Sequence, residues 1–197
     1  MLKINIIDKP FIFKQEDVVA ILHCKNNDYI QLIYKIVLES LKNKLKTLII
    51  DCSYSFREAI LKNFCKEVKI DFGSLKTRLK KITIHDENFL LSTIRQIYHD
   101  STQNFEILIF FHVSFLLGKL YKKLKEREQV IKDLFSVIGL LKSPNRIIFI
   151  VERMLEGFYP TECIAREEVE QVANQKIYFL PYKTININGN KKAYKQI

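Results

Sequence analysis

The stretch Ile21–Leu41, "ILHCKNNDYIQLIYKIVLESL", decides how this chain is read. Its start belongs to "DVVAILHC" (17–24), a near-continuous apolar run of the kind found in strands buried on both faces. Its end belongs to "DYIQLIYKIVLESLKNK" (28–44), where apolar residues at 29, 32, 33, 36, 37 and 41 form a helical stripe. Asp28 stands where a helix cap is expected. Between them the turn "CKNND" contains no glycine. A strand, a tight turn and a helix form the unit in which many proteins hold a nucleotide phosphate. The question is whether this turn has the chemistry to do so.

Working outward, the same alternation repeats. "KTLIIDC" (46–52) reads as a second buried strand and "SFREAILKNFCKEV" (55–68) as a helix, with Ser55 and Glu58 at capping-box spacing. A shorter strand, "KKITIHD" (80–86), precedes the amphipathic helix "ENFLLSTIRQIYHD" (87–100). "FEILIFFHV" (105–113) is the most buried strand, and residues 119–143 contain a long helix ending near Pro144. "NRIIFIVE" (145–152) is a fifth strand, and residues 161–174 contain a short helix. The closing segment, residues 175–197, alternates like strands around an "NGN" turn. The expectation is an α/β domain over residues 17–197, preceded by an N-terminal extension of residues 1–16. Its sheet is mostly parallel, covered by helices on both faces and closed by a C-terminal antiparallel hairpin. Ligands in such sheets bind at the carboxyl ends of the strands. Those ends carry His23, Asp51, Ser53, His112, Glu152 and Arg153.

Composition narrows the function classes. The chain has 197 residues, 48% of them hydrophobic, enough for a full core. No apolar run approaches the ~18–20 residues of a membrane span, and the first residues lack the pattern of a signal peptide, so the expectation is an intracellular protein that does not enter membranes. The four cysteines have no metal-ligand or redox spacing and read as structural. The four histidines are scattered, which argues against a zinc site. A net charge of +10 favours a polyanionic partner.

The order and spacing of these elements resemble the ATPase core of the RecA family of recombinases, closest to eukaryotic and archaeal members and their paralogues. The family's first strand leads into a glycine-rich Walker A loop ending Gly-Lys-Thr-Gln-Leu, and this chain has Gln31-Leu32 in that register. Asp28 then replaces the last glycine, Tyr29 the lysine and Ile30 the threonine. The family's second strand reads roughly Ile-Asp-Thr-Glu-Gly-Thr-Phe-Arg, and "IDCSYSFR" (50–57) keeps Ile50, Asp51, Phe56 and Arg57. Ser53 takes the place of the catalytic glutamate, and Phe111 that of the Walker B aspartate. "REQVIKDLFSVIGLL" (127–141) resembles the family's long helix, and the closing strands resemble its terminal ones.

The resemblance implies a recombinase paralogue with a degenerate nucleotide site. A phosphate loop needs glycines so that successive N–H groups converge on the phosphates, a lysine charge, and a hydroxyl for Mg²⁺. Tyr29, Ile30, Ser53 and Phe111 supply none of these, and Lys25 has no neighbouring glycine to make it a displaced phosphate lysine. No cofactor, no metal and no ATP hydrolysis are therefore expected. The implied role is that of an accessory or mediator subunit in homologous recombination, similar to the Shu-complex subunits of fungi. Its implied partners are DNA (single-stranded or a junction), a RecA-like paralogue in a heterodimer, and the main recombinase. Localisation is nuclear for a eukaryotic source and cytoplasmic for an archaeal one. In the family the segment after the fourth strand faces DNA. Here it holds Lys119, Tyr121, Lys122, Lys123, Lys125 and Arg127, cations interleaved with an aromatic. Arg153 and the hairpin lysines Lys191 and Lys192 extend this candidate DNA surface, while a solvated helix face accounts equally for the 119–127 cluster.

Two other readings stay open. A divergent α/β enzyme would bind a nucleotide or small metabolite at the strand ends, using Asp51, Ser53, His112 and Glu152. A purely structural subunit would present an apolar interface, with Phe11 and Phe13 as either anchors or core cover.

Overall fold

The computed structural model describes residues 1–6, 9–23, 28–99, 104–114, 116, 124–155, 162–163, 166–180 and 184–193. The chain opens with an antiparallel hairpin, β1 (Leu2–Ile6) and β2 (Lys9–Phe13). There follow β3 (Val18–His23), α1 (Asp28–Lys42), β4 (Thr47–Asp51), α2 (Glu58–Glu67), α3 (Phe72–Lys76), β5 (Leu79–Thr83) and α4 (Glu87–His99). Then come β6 (Ile107–Phe111), α5 (Leu124–Leu140), β7 (Ile147–Leu155), β8 (Glu162–Cys163) and α6 (Arg166–Val172). The last strands are β9 (Gln175–Leu180), β10 (Thr184–Ile187) and β11 (Asn190–Ala193).

The main sheet has the order β11-β10-β9-β3-β7-β6-β4-β5, with β8 paired to the extended end of β7. Strands β3, β4, β5, β6, β7 and β9 run parallel, and β10 and β11 are antiparallel. The expected α/β architecture is thus present. Asn188 (φ 46) and Gly189 (φ 90) form the two-residue turn between β10 and β11, the left-handed pair that matches strand twist in a hairpin.

Topology sorts the helices. The steps β3 to β4 and β4 to β5 move one way along the sheet, and the steps to β6, β7 and β9 move back. Right-handed crossovers then place the helices of the outward steps on one face and those of the return steps on the other. The cores agree: residues of α1, α2 and α3 cluster with Val19, Ile21, Ile49, Phe111 and Val151. Residues of α4, α5 and α6 cluster with the alternate positions Val18, Ala20, Ile50, Phe110 and Ile150. At the carboxyl edge the chain therefore leaves β3 and β4 toward one face, and β6 and β7 toward the other. A crevice opens where neighbouring strands diverge in this way.

Some local expectations needed correction. Within the N-terminal extension, Leu2 and Phe13 are fully buried in the α1-side core. Phe13 meets Phe149 edge-on at 5.1 Å, so it is core cover and not an exposed anchor. Helix α2 starts after Arg57, which makes no side-chain cap, and not at Ser55. Helix α3 was not expected; Asp71 caps it by accepting from the N–H groups of Gly73 and Ser74. At the amino-terminal edge, the Asp17 carboxylate accepts from Lys14 N, Asn174 Nδ2 and Gln175 Nε2, tying the strand entry to β9.

Candidate functional site

Asp51 ends β4 and organises the turn into α2. Its Oδ1 accepts the N–H groups of Ser53 and Ser55, each at 3.1 Å, and the Ser53 hydroxyl at 3.2 Å. Its Oδ2 accepts the Phe56 N–H at 3.0 Å and lies 3.1 Å from Lys81 Nζ. Lys81 reaches over from β5 and also donates to the Phe56 carbonyl at 2.7 Å. Burial pushes the Asp51 carboxyl up, but the Phe56 N–H, Lys81 and the Ser53 N–H outweigh it and hold the group below its usual range. The tight turn bends the chain through Tyr54 at φ 59, a left-handed conformation that costs a non-glycine residue roughly 1–2 kcal/mol.

Beside this turn lies a buried histidine pair. Alternation with Val19 and Ile21 puts His23 on the α1 face of β3. Its Nε2 is 2.7 Å from His112 Nε2, so one of these nitrogens carries the shared proton and the other accepts it. His112 follows β6 in a left-handed conformation (φ 51) and turns its Nδ1 to Ser53 Oγ at 2.7 Å and Ser55 Oγ at 3.4 Å. The result is a continuous chain from Asp51 through Ser53 and His112 to His23. Burial pulls His112 down to about 4, against the attraction of Asp51. The imidazole is therefore neutral at neutral pH.

Tyr29, in the first turn of α1, closes over the pair. Its ring stacks on His23 with centroids 3.4 Å apart and meets His112 edge-on at 5.9 Å. It is 5% exposed, and burial pushes its phenol up to about 12 despite a hydrogen bond with Ser55 and the nearby Arg153 charge. Phe111 is fully packed beneath, 6.2 Å from the Phe56 ring. Described side chains thus occupy the carboxyl ends of β3, β4 and β6 on the α1 face.

The opposite face holds a second buried carboxylate. Glu152 of β7 alternates with Ile148 and Ile150 and so faces the α4–α5–α6 core. It accepts the Ser114 hydroxyl at 2.5 Å, the Ser114 N–H at 3.1 Å and the Val113 N–H. Burial dominates, and its carboxyl rises to about 7. Cys52 is buried on the same face, and desolvation, with Glu152 and Asp51 adding, pushes its thiol far up, leaving it unreactive.

Of the residues expected at the site, Asp51, Ser53 and His112 come together, whereas Glu152 faces the other side of the sheet. Asp28, Tyr29 and Ile30 form the first turn of α1, while residues 24–27, including Lys25, lie outside the described residues. So do Lys119, Tyr121, Lys122 and Lys123 of the candidate DNA surface, and the side chains of Lys125, Arg127, Lys191 and Lys192. Helix α5, which carries Lys125 and Arg127, begins at the carboxyl edge of the sheet. Arg153 is exposed at that edge. It pairs in register with His23, then Phe179, Ile185 and Lys192 across β3, β9, β10 and β11. Arg153 and Lys192 therefore share one row, on the order of 19 Å apart at the usual strand spacing.

Sequence reasoning missed the His23–His112 contact, the Tyr29–His23 stack and the role of Lys81. The available signal for the first was that both histidines stand at ends of buried parallel strands. Among the described residues no group of three or more His, Cys, Asp or Glu side chains is placed to hold a metal ion, and no helix is long and apolar enough to cross a membrane. The chain matches no protein-family model and no curated protein.

Proposed function

We propose that this chain is a non-catalytic recombinase paralogue, an accessory or mediator subunit of homologous recombination that binds DNA together with a RecA-like partner. The observation that carries this reading is Tyr29. It stands where the resemblance puts the phosphate lysine, and its ring is buried on His23. A phenol raised to about 12 carries no charge toward a phosphate at neutral pH. Phe111, at the Walker B position, is 1% exposed and packed as core, so it offers a metal no oxygen. Tyr54 supports the register itself: it aligns with a family glycine and keeps a glycine-like φ of 59. A scaffold that retains its strand-end geometry while side chains fill the cleft suits a subunit that pairs with a neighbour without splitting a nucleotide.

Incubation with radiolabelled ATP and Mg²⁺ tests this: release of phosphate should not exceed a buffer control. Turnover abolished by Lys25→Ala contradicts it. Binding to single-stranded DNA should weaken steeply with salt, and the triple substitution Lys122→Glu, Lys123→Glu, Lys125→Glu should reduce affinity at least tenfold by removing phosphate contacts. Unchanged affinity removes that surface from the proposal. Co-purification from the native cell, read by mass spectrometry, should return a RecA-like partner.

One observation favours the enzyme reading: Ser53 Oγ lies 2.7 Å from His112 Nδ1, with Asp51 at the end of the chain. Against it, an imidazole held at about 4 is a weak general base at neutral pH. Labelling by a fluorophosphonate probe that disappears in Ser53→Ala would favour the enzyme; absence of labelling favours the accessory subunit.

A further inference from the structure

Tyr54 breaks two ordinary patterns at once. It is 58% exposed, the most of any Tyr or Phe among the described residues. Its backbone is left-handed, a conformation that glycine adopts without strain. Burial does not offset that strain here. Instead the phenol hydroxyl hydrogen-bonds Nδ1 of His85, itself exposed just beyond β5. The two rings lie 5.4 Å apart at 43°. The bond fixes the tyrosine ring at the carboxyl edge of the sheet, beyond β4 and β5. That is the edge on which Arg153 stands, with β4 two strands from β7. Exposed Arg57 follows on the same turn.

We propose that Tyr54 and His85 form a stacking platform for an unstacked base of single-stranded nucleic acid. This rests on the DNA-binding reading above and adds to it a contact made with a base and not with phosphate. A flat, pre-oriented ring with exposed Arg57 on its own turn matches a flat base on an anionic backbone, and every base offers such a face. The net charge of +10 favours a polyanion over a neutral ring such as a sugar. Holding the ring by a hydrogen bond reduces the freedom lost on stacking.

The test uses fluorescence anisotropy with a labelled oligothymidine, the same strand carrying abasic residues, and the intact chain. Tyr54→Gly removes the ring and relaxes the backbone. Its thermal midpoint should be unchanged or higher, while its affinity for the oligothymidine should fall roughly 5- to 100-fold. The salt dependence should keep its slope, because no phosphate contact is lost. Tyr54→Asn, which tolerates the left-handed backbone, should behave the same way. Tyr54→Phe should retain most of the affinity, and the abasic strand should bind the wild type several-fold more weakly. Full affinity in both Tyr54→Gly and Tyr54→Asn, or an abasic strand bound as well as the intact one, overturns the platform and leaves the DNA reading standing. Failure of the wild type to bind any single strand overturns both.

Discussion

Asp51 and Glu152 are both fully buried carboxylates at the carboxyl edge of one sheet, yet their surroundings drive them in opposite directions. Asp51 lies on the α1 face, where Lys81 and the N–H groups of a tight turn hold it ionised. Glu152 lies on the other face, where two N–H groups and a serine hydroxyl do not offset desolvation, and it rises to about 7. Burial is the largest influence on each. The difference is a cation, and it separates a carboxylate that shapes the fold from one that the fold tolerates at a cost.

The largest effect should come from Asp51→Ala. It strands Lys81 and the turn's N–H groups, and loss of one partner of a buried ion pair costs about 3–5 kcal/mol; partial exposure of Lys81 favours the lower end. Urea denaturation measures it, and a loss under about 1 kcal/mol would break the comparison.

Glu152→Gln should act in the opposite sense at pH 8. A folded value of about 7 against 4.5 unfolded means that this group's contribution is fully present below 4.5 and lost as pH rises to about 7. The variant should therefore gain up to about 3 kcal/mol over the wild type at pH 8, and nothing at pH 4. Equal stability at both pH values would show that Glu152 is not raised.

His112 supplies the opposing slope. Its folded value, about 4, lies below the ordinary 6.5, so its contribution is present above 6.5 and lost as pH falls toward 4. Between pH 6.5 and 5 that amounts to about 2 kcal/mol. In the wild type this loss overlaps the gain from Glu152 and the two largely cancel. Glu152→Gln should expose the acid loss, and His112→Asn, which tolerates the left-handed backbone, should expose the Glu152 slope alone. The smallest effect belongs to Ser53→Ala, which breaks the chain between Asp51 and His112 and should cost about 1 kcal/mol.

Most of the fold was legible because buried parallel strands read as apolar runs and the helices carry a 3.6-residue stripe. The β1–β2 hairpin was not: Leu-Lys-Ile-Asn-Ile does alternate apolar and polar, but each strand is only five residues long, too short a run to stand out by pattern alone. Helix α3 is only five residues long and depends on Asp71. The capping-box spacing at Ser55 and Glu58 misled because Asp51 takes the Ser55 N–H and draws the turn inward, delaying the helix. At the site, strand-end positions exposed Asp51, Ser53, His112 and Glu152 as candidates. Which of them meet depends on register and face. The neighbour relation of β4 and β5 brings Lys81 to Asp51, and parity along β7 sends Glu152 to the far side. Contacts such as His23–His112, 89 positions apart, come from sheet order, which no local pattern encodes.

The central claim is that side chains, with Tyr29 foremost, fill the place where a nucleotide would sit. Isothermal titration calorimetry with ATP and Mg²⁺ tests it most directly. The expected result is no saturable heat up to millimolar ATP. Saturable binding in the micromolar range that is lost on substituting Lys25 or Tyr29 would contradict it.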